Sequence, residues 1–318
     1  MKNFLYLFLL FTLAMCLLVA CVSTPVPTET TEPTEGVKNT AMNIMQKSDP
    51  TQDDSFNILM IGSSFCYYYV EELYGMLTAA GYKNVNVCNV YYSGCPLESH
   101  WQWWKNGEAN YQYFTTNENG REQIDGANLE YCLKQRNWDI ISLQESTHKI
   151  RNNGAQQHFE NTRNYLTDLW GYIKEQFPQS RHLWHQPWAY QVGADRNGIQ
   201  MKDLQQQLEH TLPVKEYAIR VCKEFELERV NTGEAWHIVR QGGYDNLCAR
   251  LAVNAGEGDY SHDGDIGGGQ YLNACVWFEV ITGQSCIGNT YLPDYALDNA
   301  LIPMLQEAAH KAVVQINN

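Results

Sequence analysis

Asn57-Ile58-Leu59-Met60-Ile61-Gly62-Ser63-Ser64 is the stretch on which the fold turns. An unbroken apolar run ends at a Gly-Ser-Ser turn. That pattern fits a strand covered on both faces, since a half-exposed strand would alternate apolar and polar residues. The same grammar recurs downstream. Val85 to Val90, Trp138 to Gln144, Arg181 to His185 and Glu228 to Thr232 read as four further strands. Between and after them Val70–Ala80, Leu129–Arg136, His158–Phe177, Val214–Phe225, Gly268–Thr282 and Asp298–Ile316 carry helical patterns. Strand alternating with helix predicts an α/β fold, a five-stranded parallel sheet with helices on both faces. In such sheets ligands bind in the crevice at the carboxyl ends of the strands.

Two segments interrupt the alternation. Residues 98–126 hold Trp101, Trp103 and Trp104, then two runs separated by Asn117-Glu118-Asn119-Gly120, a hairpin signal. This insertion is expected as a flap near the crevice. Gln191 to Pro213 is polar and is expected as a loop with a short helix.

The first residues are not part of the fold. Met1-Lys2-Asn3 supplies one positive charge, Phe4 to Ala20 is apolar except for Thr12, and Cys21 follows Val19-Ala20. This is the build of an export signal; the run is also just long enough for a retained membrane anchor. The Cys after Val-Ala resembles a bacterial lipobox, which implies cleavage before Cys21 and lipid on its thiol. Residues 21–54 are rich in Pro, Thr and Glu, bury little, and are expected as a disordered tether. The folded domain is therefore expected over 55–318.

Composition narrows the partners. Lys and Arg number 22 against 36 Asp and Glu, a net charge of −14 that argues against nucleic acid or an anionic membrane surface. The only membrane link expected is the lipid. Eight of the ten cysteines lie beyond Cys21; in an exported chain they permit disulfides, or they are small buried hydrophobes. No Cys-x-x-Cys pair suggests a metal, and Asp263 with Asp265 lacks the further ligands of an EF-hand loop.

Chemistry is sought at the strand ends. Ser64 after the first strand is either a nucleophile aimed into the crevice or, with Ser63, a helix cap. Gly94 in Ser93-Gly94-Cys95 can bring its N–H close to a ligand. Gln144 ends the third strand, where its amide can donate to an oxyanion or hold a loop. Asp259-Tyr260-Ser261-His262 spaces a carboxylate and an imidazole so that one can orient the other, and a serine hydroxyl needs such a base.

Together these pieces resemble the SGNH, or GDSL, hydrolase family of serine esterases, from Asn57 to Thr282. Gly62-Ser63-Ser64 matches its Gly-Asp-Ser block with Ser63 replacing Asp, Gly94 its second-block glycine, and Asp259 with His262 its Asp-x-x-His block. The Gly-x-Asn-Asp block is absent; Trp138 to Gln144 is similar to a subgroup with Gln in that place. The resemblance implies a flavodoxin-like α/β/α sandwich and a Ser64–His262–Asp259 triad. It also implies an oxyanion hole from the Ser64 and Gly94 N–H groups and the Gln144 amide, with no metal or organic cofactor. Trp101, Trp188, Tyr190 and Trp236 stand where they can line the crevice. With export and lipidation, the expected substrate is an ester-bearing small molecule or polysaccharide, in particular O-acetylated carbohydrate. The alternative is a catalytically silent, glycan-binding surface lipoprotein.

Overall fold

A computed structural model describes residues 55–196, 198–251, 260 and 262–316. Cys21 of the expected lipobox, the expected tether and Asp259 lie outside the described residues. Among those that are described, no helix is long and apolar enough to cross a membrane.

The five expected strands form: β1 (Phe56–Gly62), β2 (Val85–Tyr91), β5 (Ile140–Gln144), β6 (Arg181–His185) and β7 (Glu228–Val230). All pair in parallel, in the order β2-β1-β5-β6-β7. This is the flavodoxin-like order. The alternation of side chains along β1 decides the layers. Ile58 and Met60 enter one apolar core, and Leu59 and Ile61 enter the other. The first core is closed by α1 (Val70–Ala79), α7 (Thr232–Gln241), α8 (Gly269–Thr282) and α9 (Ile302–Ile316). The second is closed by α2 (Leu97–Asn106), α3 (Leu129–Leu133), α5 (Ala155–Gln176) and α6 (Leu204–Phe225). A short helix, α4 (Thr147–Asn153), leaves the carboxyl end of β5.

The chain leaves β1 toward β2 on one side and later returns to β5 on the other. The strand order therefore reverses at β1, and the crevice of such a sheet opens at its carboxyl end.

The 98–126 segment corrects the sequence reading. The Asn-Gly hairpin exists, as β3 (Tyr111–Asn117) and β4 (Gly120–Ala127), but it is no flap. β3 pairs antiparallel with β2, and β4 with β3, so the hairpin extends the sheet to seven strands. Outermost β4 carries Arg121, Glu122, Gln123 and Asp125, is exposed over most of its length, and shifts register opposite Tyr111 and Gln112.

Gln191–Pro213 is corrected too. Helix α6 starts at Leu204, capped by the Asp203 carboxylate, which accepts from the Gln206 N–H at 2.9 Å, and it runs on through Pro213. The cysteines Cys66, Cys88, Cys95, Cys132, Cys222, Cys248, Cys275 and Cys286 are free thiols, all but Cys222 buried.

Candidate active site

Ser63 and Ser64 stand at the reversal point. Ser64 opens a single 3-10 turn, Ser64–Cys66, pinned by the Cys66 N–H donating to Ser63 O at 3.0 Å and the Tyr67 N–H to Ser64 O at 3.3 Å. No side chain caps this turn, so capping does not account for the two serines. Ser63 is committed: its N–H and its hydroxyl both donate to Gln144 Oε1, at 3.0 and 3.1 Å. Ser64 is 7% exposed, and its hydroxyl has no hydrogen-bond partner among the described residues. The other nucleophile type on the turn, Cys66, is buried, and burial pushes its thiol up to about 12. It stays a thiol at neutral pH, whereas the reactive form is the thiolate.

Gln144 ends β5 fully buried. An N–H can only donate, so the Ser63 N–H requires an oxygen opposite it, and this fixes which way the amide faces. The Gln144 Nε2 group then points away and donates to the Glu145 carbonyl at 2.5 Å. The side chain is a strut beneath the Ser63–Ser64 turn, its oxygen spent on Ser63 and an amide N–H on the Glu145 carbonyl, where the sequence reading has the amide donate to an oxyanion. Gly62 is required by the same packing: a Cβ there would stand 2.7 Å from Gln144 Oε1.

Gly94 lies two residues beyond Tyr92, whose N–H donates to Gly62 O at 3.4 Å and so ties the ends of β1 and β2 together. Its φ of +65° is the left-handed region that favours glycine. No described residue accepts from its N–H.

His262 reaches this turn from the far end of the sequence. Its ring centroid is 5.0 Å from that of Tyr68 and 6.3 Å from that of Phe65, the residue after Ser64. Sequence reasoning passed over the brace behind it. Arg250 lies over the Tyr68 ring at 4.1 Å and donates to the Asp263 carbonyl at 3.1 Å. The Asp263 carboxylate accepts from Asn273 Nδ2 at 3.0 Å, and Asn273 Oδ1 from Trp236 Nε1 at 2.7 Å.

The aromatic residues expected to touch substrate have other tasks. Trp188 and Trp236 are fully buried and stacked at 4.6 Å. Trp188 meets Phe65 edge-on at 4.8 Å, and the buried Tyr190 ring stacks on Phe65 at 6.3 Å. Trp188 and Tyr190 thus pack on the Ser64–Cys66 turn through Phe65, and Trp236 backs Trp188. Trp101 turns to α5, donating to Asp168 at 2.9 Å and packing on Tyr165. Among the described residues no group of three or more His, Cys, Asp or Glu side chains is disposed to hold a metal ion.

A family model described as a domain of unknown function, DUF4886, matches residues 57–312, and the chain belongs to that family. No curated protein matches it. A crystal structure of a DUF4886 family protein from Bacteroides uniformis is similar at 24% identity and a TM-score of 0.71. The match covers 83% of this chain and 97% of that one, and is a likeness of fold. Weaker likenesses are a protein assigned as a GDSL-like lipase from Parabacteroides merdae (15% identity, TM-score 0.47, 74% and 99% covered) and a GDSL-like lipase from Bacteroides thetaiotaomicron (10%, 0.36, 77% and 95%).

Proposed function

We propose that this member of the DUF4886 family is a serine ester hydrolase with Ser64 as nucleophile and His262 as its base. The observation that carries the reading is the pairing of an unengaged serine hydroxyl, at the point where the strand order reverses, with an imidazole packed against the same turn. His262 removes the Ser64 proton as Oγ attacks the ester carbonyl, and Asp259 orients the imidazole. The N–H groups of Ser64 and Gly94 hold the oxyanion. When the tetrahedral adduct collapses, His262 gives its proton to the leaving alcohol. Water, deprotonated by His262, then releases the acid and restores Ser64.

The substrate proposed is an O-acetylated carbohydrate, met outside the cell by a protein held to the membrane through lipid on Cys21. The geometry supports Ser64 over Ser63 as nucleophile, because the Ser63 hydroxyl is spent on Gln144. Burial of Trp188 and Trp236 counts against the purely glycan-binding alternative, which needs exposed aromatic faces. A fluorophosphonate probe tests the reading. Labelling should map to Ser64 and vanish in Ser64→Ala, and His262→Ala should lose acetate release from acetylated sugars and p-nitrophenyl acetate. An unlabelled natural protein, or acetate release untouched in His262→Ala, refutes it.

A further inference from the structure

Glu145 and His158 are among the most buried ionisable side chains near the crevice, at 1% and 4% exposure, and the mechanism above uses neither. The hydrogen bonds of Glu145 Oε1 lead to the turn that carries Gly94. Glu145 Oε1 accepts from the Leu97 N–H at 3.2 Å, the first residue of α2, and from the Ser146 N–H at 2.5 Å. The Ser146 hydroxyl in turn donates to the carbonyls of Cys95, at 3.1 Å, and Gly94, at 3.4 Å. The turn is thus clamped at residues 94, 95 and 97. Burial, followed by the Glu145 charge, pushes the intervening Cys95 thiol up.

The clamp is itself braced. Glu145 Oε2 pairs with His158 Nε2 at 3.1 Å, and His158 Nδ1 with Asn153 Nδ2, also at 3.1 Å. The amide Nδ2 can only donate, so Nδ1 accepts and the proton sits on Nε2, facing the carboxylate. The start of α2 adds a favourable field, because helix N-termini stabilise negative charge.

We infer that Glu145, held by His158, is a positioning residue for the oxyanion donor. It touches no substrate; it fixes the turn from which the Gly94 N–H is presented. The inference rests on the esterase reading above. The turn also carries its own backbone bond, the Cys95 N–H donating to Tyr92 O at 3.2 Å, and the clamp fixes the side of it that runs on into α2. An oxyanion donor displaced by about 1 Å loses most of its worth, of the order of a hundred-fold in rate.

The test uses the full chain with p-nitrophenyl acetate, rates being normalised to Ser64 titrated by a fluorophosphonate at end point. Glu145→Ala should lower kcat per titrated site by at least about ten-fold and leave KM within about two-fold, because the oxyanion forms only in the transition state. Glu145→Gln should recover most of that loss. Its oxygen keeps both N–H groups, and its amide can donate to His158 Nε2 once the imidazole proton moves to Nδ1 and the Asn153 amide turns over. Ser146→Ala removes only the hydroxyl that donates to Cys95 and Gly94, so it serves if Glu145→Ala does not fold; it should lose several-fold in kcat. Unchanged kcat per site in Glu145→Ala or Ser146→Ala overturns the inference. So does a loss confined to KM, or Glu145→Gln as poor as Glu145→Ala. Failure of the esterase reading is distinct: it leaves the unaltered protein unlabelled and inactive, and takes this inference with it.

Discussion

Replacing Glu72 with Gln should stabilise the protein at neutral pH and leave it unchanged in acid. Glu72 lies on α1 at 2% exposure, and its Oε2 has no hydrogen-bond partner among the described residues. Burial first, with the like charge of Asp263 behind it, pushes its carboxyl up to about 8 from an ordinary 4.5. At pH 7 the folded protein therefore keeps this proton, and the unfolded chain has released it. A folded-state value raised in this way gives stability that is complete below 4.5 and is lost as pH climbs toward 8. Each pH unit in that window is worth about 1.4 kcal/mol, so about 3 kcal/mol is missing at pH 7. Gln has the shape of the protonated acid and no proton to lose. Urea unfolding followed by tryptophan fluorescence should show the two proteins equal near pH 4. A gap of about 3 kcal/mol should open by pH 7, or roughly 6–12 °C in Tm for a domain of this length. A gap independent of pH, or none at pH 7, would mean that Glu72 is ionised in the native state and would refute the reasoning.

Other expectations follow from the same geometry. His100, His185 and His210 are buried, and burial lowers each to about 3. These depressed values give stability present above 6.5 that is lost as pH falls toward 3, about 2 kcal/mol per histidine at pH 5. In the Glu72→Gln background the unfolding free energy should drop by several kcal/mol between pH 7 and 5, and a flat profile would contradict neutral burial. Gly62→Ala forces Gln144 off Ser63. Circular dichroism should stay native while esterase activity falls about a hundred-fold, the order expected for a misplaced nucleophile; retained activity would deny Gln144 its role as strut. Trp236→Ala empties a fully buried site against Trp188 and should cost about 3–5 kcal/mol in thermal unfolding, with KM for acetylated sugars little changed. A selective rise in KM would restore Trp236 as a substrate contact.

The parallel strands were legible because a strand covered on both faces must be apolar at consecutive positions, as Ile58 to Ile61 is. The Asn119-Gly120 turn was legible for the same local reason. Where the hairpin docks was not: pairing with β2 is a contact across sequence, and nothing in Tyr111–Thr116 distinguishes a sheet strand from a flap. The first turns of α6 escaped because its inward face holds Gln207, His210 and Thr211, buried polar residues that erase the apolar period. Ser64, Gly94 and His262 were singled out as candidates by position, at strand ends and on a late loop. The direction of the Gln144 amide needed the Ser63 N–H opposite it. The tryptophans showed how little composition says about place, since a crevice wall and a core select the same rings.

The hairpin beside β2 has a bearing on how this protein behaves among its own copies. Without β3 and β4, the seven residues Val85–Tyr91, mostly apolar, would form the open margin of the sheet. Unpaired apolar strands are templates for aggregation, because a neighbouring chain can complete their backbone hydrogen bonds. The hairpin moves the margin to β4, where Arg121, Glu122 and Asp125 confront any incoming strand and a shifted register spoils its pairing. At the opposite margin β7 offers only three residues. The insertion thus acts as a selvedge, finishing this side of the weave within one molecule.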